Sequence, residues 1–172
     1  MKYLKKAVNV LFWILDKINK KAYKKVYPLY LRWLGIVIDR ESGSETWISP
    51  TCFFDSAAYN RIRIGRDVTI SFGVTVLAHD YSIVHTGKAI GKRVRKIVVD
   101  DVYIGNNVFI GAKSIILPGT IIGDNCIIGA GSVVKGRILE NSVYAGNPAK
   151  RICSINEYAE KHMELFIQYD EL

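Results

Sequence analysis

Large aliphatic residues recur every six positions through the second half of the chain: Val98, Ile104, Ile110, Ile116, Ile122, Ile128 and Val134. Glycine follows four of them, at Gly105, Gly111, Gly123 and Gly129. The position four beyond each aliphatic is small or β-branched: Val102, Val108, Ser114, Thr120, Cys126 and Ser132. A helix repeats at about 3.6 residues and a half-buried strand at about 2, so a period of six matches neither alone. It predicts short strands joined by tight turns, with two inward-facing positions per hexad and glycine supplying backbone freedom at the turn. The strands of a β-sandwich would recur at roughly 8–12 residues with two-residue alternation, a different pattern. Three hexads, 18 residues, make one triangular coil. One coil buries too little by itself, so the core must come from coils stacked on one another.

An earlier run keeps the same step in its own frame, with Ile64, Ile70 and Val76 as the large aliphatics and Ala58 and Cys52 as weaker members before them. From Val76 to Val98 is 22 residues, which is not a multiple of six, so an excursion from the wall is expected at about 81–97. Nearer the start, Leu4, Val8, Leu11, Leu15 and Ile18 fall at helical spacing with lysines between and after them, an amphipathic helix. Leu29 to Ile38 follows Pro28 and contains Gly35, and reads as a second helix or an irregular lead-in to the first coil. Ile155 to Tyr169 lacks the hexad pattern and is expected to form a terminal helix that caps the solenoid. The organisation that follows is a basic helical segment over 1–45, a repeat domain over 46–151, and a C-terminal helix over 152–172.

Charge sharpens this division. Residues 1–40 carry 10 Lys or Arg against 2 acids, and residues 41–172 carry 14 against 14, so the whole formal charge of +8 resides in the leading segment. Clustered ammonium groups attract anionic surfaces, and residues 1–25 are expected to touch an anionic membrane peripherally or to pack on the solenoid end. A nucleic-acid partner is not expected. The run Ala7 to Leu15 behind Lys2, Lys5 and Lys6 imitates a secretory signal, but Asp16 and Lys17 follow at once without a small-residue cleavage site. No uncharged apolar stretch reaches the 18 or so residues that span a bilayer. Cys52, Cys126 and Cys153 leave one thiol unpaired in any disulfide scheme and lack metal-ligand spacing, so a reducing cytoplasm is the expected compartment.

The segment IGNNVFIGAKSIILPGTIIGDNCIIGAGSVV and the closing AGNPAK resemble the hexapeptide-repeat acyltransferases over about residues 46–151. VLAHDYS, before a basic loop and IVVDDVYIG, is similar to their sugar and polysaccharide O-acetyltransferase and xenobiotic acetyltransferase branch. The resemblance implies a left-handed parallel β-helix, acetyl-CoA as cosubstrate, a sugar or glycan acceptor and a homotrimer with active sites between subunits. It makes His79 the general base, a role imidazole fits because it titrates near neutrality. Ala112 and Ala130, 18 residues apart, resemble the positions whose backbone meets the pantetheine arm. Lys150 and Arg151 match the cations that neutralise coenzyme A phosphates. Asp55 resembles an acceptor-contacting carboxylate or amide. Asp80 also belongs to the acceptor side. Neighbouring side chains on a strand point to opposite faces, so Asp80 supports the site without orienting His79.

His85 in the excursion and His162 in the terminal segment read as ordinary polar residues. Lys88, Lys92, Arg93, Arg95 and Lys96, with no acid between Tyr81 and Val99, form a solvated loop or a guide for an anionic ligand. Other readings are N-acetylation of an amino sugar or a xenobiotic, a metalloenzyme resembling a γ-type carbonic anhydrase, and a non-enzymatic membrane-surface scaffold. The metalloenzyme would need three histidines at one zinc ion, and the chain has three in all. No metal site is expected.

Overall fold

The computed structural model describes residues 2–39 and 45–166, with side chains from residue 7 onward. Two helices, α1 (Lys2–Ile18) and α2 (Lys20–Trp33), precede a triangular solenoid of five stacked coils. The first coil holds β1 (Val37–Ile38), β2 (Trp47–Ile48) and β3 (Phe53–Phe54), and the second β4 (Ile62–Ile64), β5 (Thr69–Ile70) and β6 (Thr75–Val76). The excursion follows, as β7 (His79–Asp80), α3 (Ser82–Ala89) and β8 (Val98–Val99). The third coil is β9 (Val102–Ile104), β10 (Phe109–Ile110) and β11 (Ile115–Ile116), and the fourth β12 (Ile121–Ile122), β13 (Ile127–Ile128) and β14 (Val133–Val134). The last coil has β15 (Arg137–Ile138) and β16 (Ser142–Gly146), from which a hairpin returns as β17 (Ala149–Ser154) into α4 (Ile155–Glu160).

Each face is a parallel ladder between coils: β1-β4-β9-β12-β15 on the first, β2-β5-β10-β13-β16 on the second, β3-β6-β11-β14 on the third. This is the expected mainly β, left-handed parallel β-helix. Ile64, Ile70, Val76, Ile104, Ile110, Ile116, Ile122, Ile128 and Val134 are all at most 2 % exposed and form the inner file. The second inward position is equally dry. Where it is a hydroxyl, a backbone carbonyl satisfies it: Ser114 Oγ donates to Gly129 O at 3.0 Å, and Thr120 Oγ1 to Leu117 O at 2.6 Å.

The register departs from the expected frame at two places. Val98 does not enter the inner file; it is 42 % exposed in β8, which pairs antiparallel with β7 as the stem of the excursion. In the first coil Phe54 stacks under Val76 and Ile48 under Ile70, in place of Ala58 and Cys52. Ten residues separate Phe54 from Ile64, and the additional four are absorbed by a 3₁₀ turn at Tyr59–Arg61.

The glycine after each aliphatic has a different purpose from the one expected. The left-handed φ values fall two residues later, at Asp67 (55°), Asn107 (51°), Lys113 (59°), Asn125 (54°) and Gly131 (70°). Glycine is required instead because coils approach closely: a Cβ at Gly111 would lie 2.4 Å from Ala130 N, and one at Gly105 would lie 2.9 Å from Asp124 N.

At the N-terminal end, α2 seals the solenoid with Tyr23, Tyr27 and Leu31, all at most 3 % exposed, and the Tyr23 hydroxyl donates to Ile48 O. This helix runs through Pro28, where the sequence predicted a boundary. Interior proline costs about 3 kcal/mol, and the anchors on both sides of it are held in the core. The break falls earlier, at Asn19, whose Oδ1 accepts from Ala22 N at 3.0 Å. Helix α1 folds back so that Phe12 packs on Tyr23, Tyr27 and Tyr30. At the far end α4 is shorter than expected. A capping box between Ser154 and Glu157 starts it, it stops at Glu160, and a 3₁₀ turn follows at Met163–Leu165. The remainder of the expected helix to Tyr169 lies partly outside the described residues.

Candidate active site

His79 stands where the chain leaves β6 at the corner between the third and first faces, and its backbone is fixed by pairing with Val99. Directly beneath, Asp55 follows Phe54 at the end of β3, and its N–H donates to Val76 O at 3.0 Å. Asp55 is 2 % exposed. Its Oδ2 accepts from Ala78 N at 3.0 Å and meets His79 Nδ1, while Oδ1 accepts from Ala57 N at 3.1 Å. A carboxylate already accepting a backbone N–H is an acceptor toward the ring as well, so in the neutral imidazole Nδ1 carries the proton and Nε2 presents its lone pair. The His79 side chain keeps 28 % exposure, and Nε2 has no hydrogen-bond partner among the described residues. Burial pushes the Asp55 carboxyl up, but the hydrogen bonds from Ala78, His79 and Ala57 outweigh it and hold the group below the usual aspartate range.

Asp55 thus lies behind the imidazole with both oxygens engaged, where the resemblance had implied contact with the acceptor. It meets the Nδ1 side of the His79 ring, a position for which the sequence analysis named no residue. A signal was available in the register: once the four additional residues are assigned to the turn after β3, Asp55 falls at the same corner as His79, one coil below. Asp80 is exposed and its Oδ1 accepts from Ser82 N at 2.7 Å, which pins the start of α3 and holds its carboxyl below the ordinary range. Tyr81 flanks the site with its ring edge-on to His79 at 5.7 Å.

Ala112 and Ala130 lie on another corner, between the second and third faces, one above the other, and Gly131 N donates to Ala112 O at 2.8 Å. The β16–β17 hairpin continues that edge: Ala145 overlies Gly129, and Gly146 N donates to Ser132 Oγ at 3.1 Å. Lys150, paired with Ala145, and Arg151, paired with Tyr144, are exposed on its return strand. The two alanines and Lys150 therefore share one edge, but that edge is a face-width from His79, on the order of 15 Å at strand rise. His85 is exposed on α3, and His162 lies against Tyr158 in the C-terminal segment, the two rings tilted by 54°. Among the described residues no three His, Cys, Asp or Glu side chains gather in a way that could hold a metal ion.

Comparison with known proteins agrees with this architecture. Residues 101–136 match the model for the bacterial transferase hexapeptide, six repeats. Protein CapG of Staphylococcus aureus is 44 % identical over 106 residues, which cover 60 % of this chain and 58 % of that one. The chain thus spans somewhat over half the length of this curated relative. A solved maltose O-acetyltransferase from Clostridium difficile 630 is 26 % identical with a TM-score of 0.54, covering 88 % of this chain and 84 % of the other. A galactoside acetyltransferase solved in complex with coenzyme A shares the fold at 24 % identity and a TM-score of 0.55, covering 91 % and 83 %.

Proposed function

We propose that this chain, which carries the hexapeptide-transferase repeat and its β-helix, is an acetyl-CoA-dependent O-acetyltransferase. Its acceptor is a hydroxyl of a sugar, in a cell-surface glycan or its lipid-linked precursor. The observation that carries this reading is the Asp55–His79 pair, which leaves Nε2 as a free lone pair at an exposed corner. Similarity to a maltose O-acetyltransferase over most of both chains supports a sugar hydroxyl, and the coenzyme A complex of a protein with this fold supports the cosubstrate.

In the proposed reaction Nε2 removes the acceptor hydroxyl proton as the oxygen attacks the thioester carbonyl carbon. The tetrahedral intermediate then expels the coenzyme A sulfur, breaking the C–S bond, and His79 passes the same proton to the thiolate. The acetyl ester and free coenzyme A result, with no acyl-enzyme. Asp55 fixes the tautomer and stabilises the transient imidazolium. Ala112 and Ala130 leave space for the pantetheine arm, and Lys150 and Arg151 neutralise its phosphates. Because one chain sets these groups on a corner remote from His79, two neighbouring chains complete each site, and the working form is a homotrimer.

The test is coenzyme A release from acetyl-CoA across neutral sugars, amino sugars and polysaccharides. Release with a sugar bearing only hydroxyls is the expected result. Release with amino sugars alone would assign N-acetylation, and none with any acceptor would overturn the reading.

A further inference from the structure

Helix α1 is apolar on two faces, and the solenoid uses only one. Phe12 and Leu15 pack against the body, with Phe12 seated on the tyrosines of α2, and Val8 beside them is half-buried. On the outer side, Ala7, Leu11, Ile14 and Ile18 follow steps of four, three and four, so they form one stripe along the helix. Val10 and Trp13 widen it. Leu11 is 65 % exposed, Val10 56 %, Trp13 49 % and Ile18 79 %. This is a continuous apolar surface, distinct from scattered single residues.

The charge around it says what covers it. Residues 2–33 contain nine Lys or Arg and one acid, Asp16, and that acid is occupied by Trp47 Nε1 at 3.0 Å. Lys17 lies three residues beyond Ile14 and beside Ile18, and Lys21 and Lys25 continue exposed along α2. A second copy of the chain would set one strongly cationic hairpin against another. An anionic bilayer offers acyl chains to the stripe and headgroups to the lysines at once. Among the described residues no helix is long and apolar enough to cross a membrane, so this contact lies in the plane of the surface.

We infer that the outer face of α1, with the lysines beside it on α1 and α2, docks this protein on anionic lipid surfaces. The contact is independent of the acetyl-transfer reading. The test is co-sedimentation of the full chain with vesicles of phosphatidylglycerol and phosphatidylcholine, against phosphatidylcholine alone, at low and high salt. Binding is expected only to the anionic vesicles and weaker at high salt. Ile14→Glu should reduce it at least tenfold, and replacing Lys17, Lys21 and Lys25 by Gln should weaken it by about fivefold per residue. Leu11→Glu serves as a second variant, and circular dichroism confirms that each is folded. Coenzyme A release with a soluble acceptor should be unchanged in Ile14→Glu. Absence of binding at low salt, or equal binding by Ile14→Glu, would overturn the inference. So would a wild-type assembly that Ile14→Glu dissociates, since a second copy would then own the face. Vesicle binding without any acetyl transfer would sink the catalytic reading and leave this one standing.

Discussion

Asp55 remains ionised because its three hydrogen bonds outweigh its burial. Its folded pKa lies below the unfolded value of about 3.9, so its stabilising contribution is complete above that pH and disappears as pH falls through the folded value. Asp55→Asn should therefore melt below the wild type at pH 7, with the two melting temperatures converging below about pH 3.9. The same substitution should lower kcat about ten- to a hundredfold, the worth of a hydrogen bond to a charged group, and leave the acceptor KM near normal. A raised acceptor KM with normal kcat would return Asp55 to an acceptor contact. For His79→Ala, steady-state kinetics should show a loss of about 100- to 10,000-fold in kcat with coenzyme A affinity little changed. Lys150→Ala should show the reverse, and His85→Ala neither.

Strands of two or three residues hold no stability of their own; their worth lies in coil spacing, which the hexad glycines set. Gly105→Ala would thrust a Cβ to 2.4 Å from Asp124 Oδ1 and 2.9 Å from backbone on the next coil. Overpacking of this kind typically costs about 1–3 kcal/mol or more. Gly136→Ala meets nothing within 4 Å, and its φ of +80° costs only left-handed strain, about 1–2 kcal/mol. Thermal unfolding should therefore place Gly105→Ala as the less stable of the two, and Gly136→Asn should recover part of the loss, as Asn107 and Asn125 already adopt such φ values. If Gly136→Ala is the worse, turn conformation governs the repeat. Helix α2 shows the same dominance of packing over local preference, since buried Tyr23, Tyr27 and Leu31 carry it through Pro28.

At the scale of the molecule, His79 and the Ala112–Ala130 edge occupy different corners of one triangular solenoid. Sedimentation should find a trimer, and dilution or surface mutations that yield monomers should abolish coenzyme A release without unfolding the chain. An active monomer would require both groups to serve one site across a solenoid face, and would defeat the shared-site proposal.

The six-residue period alone determined the solenoid, because a core assembled by stacking demands the same inward residues at every turn. The motif around His79 marked it as the candidate base through its resemblance to a family, not through the period. What only the tertiary structure decided depends on register across insertions: that Phe54 lies under Val76, that Asp55 lies against His79, and that Val98 belongs to a stem instead of the wall. No local pattern announces how many residues a turn absorbs. The hexad glycines were visible in the sequence, but their reason, the backbone of the next coil at under 3 Å from a missing Cβ, exists only once the coils are stacked. Likewise α1 reads as one amphipathic stripe, and only its packing separates the face that Phe12 buries from the face that Leu11, Ile14 and Ile18 leave outward.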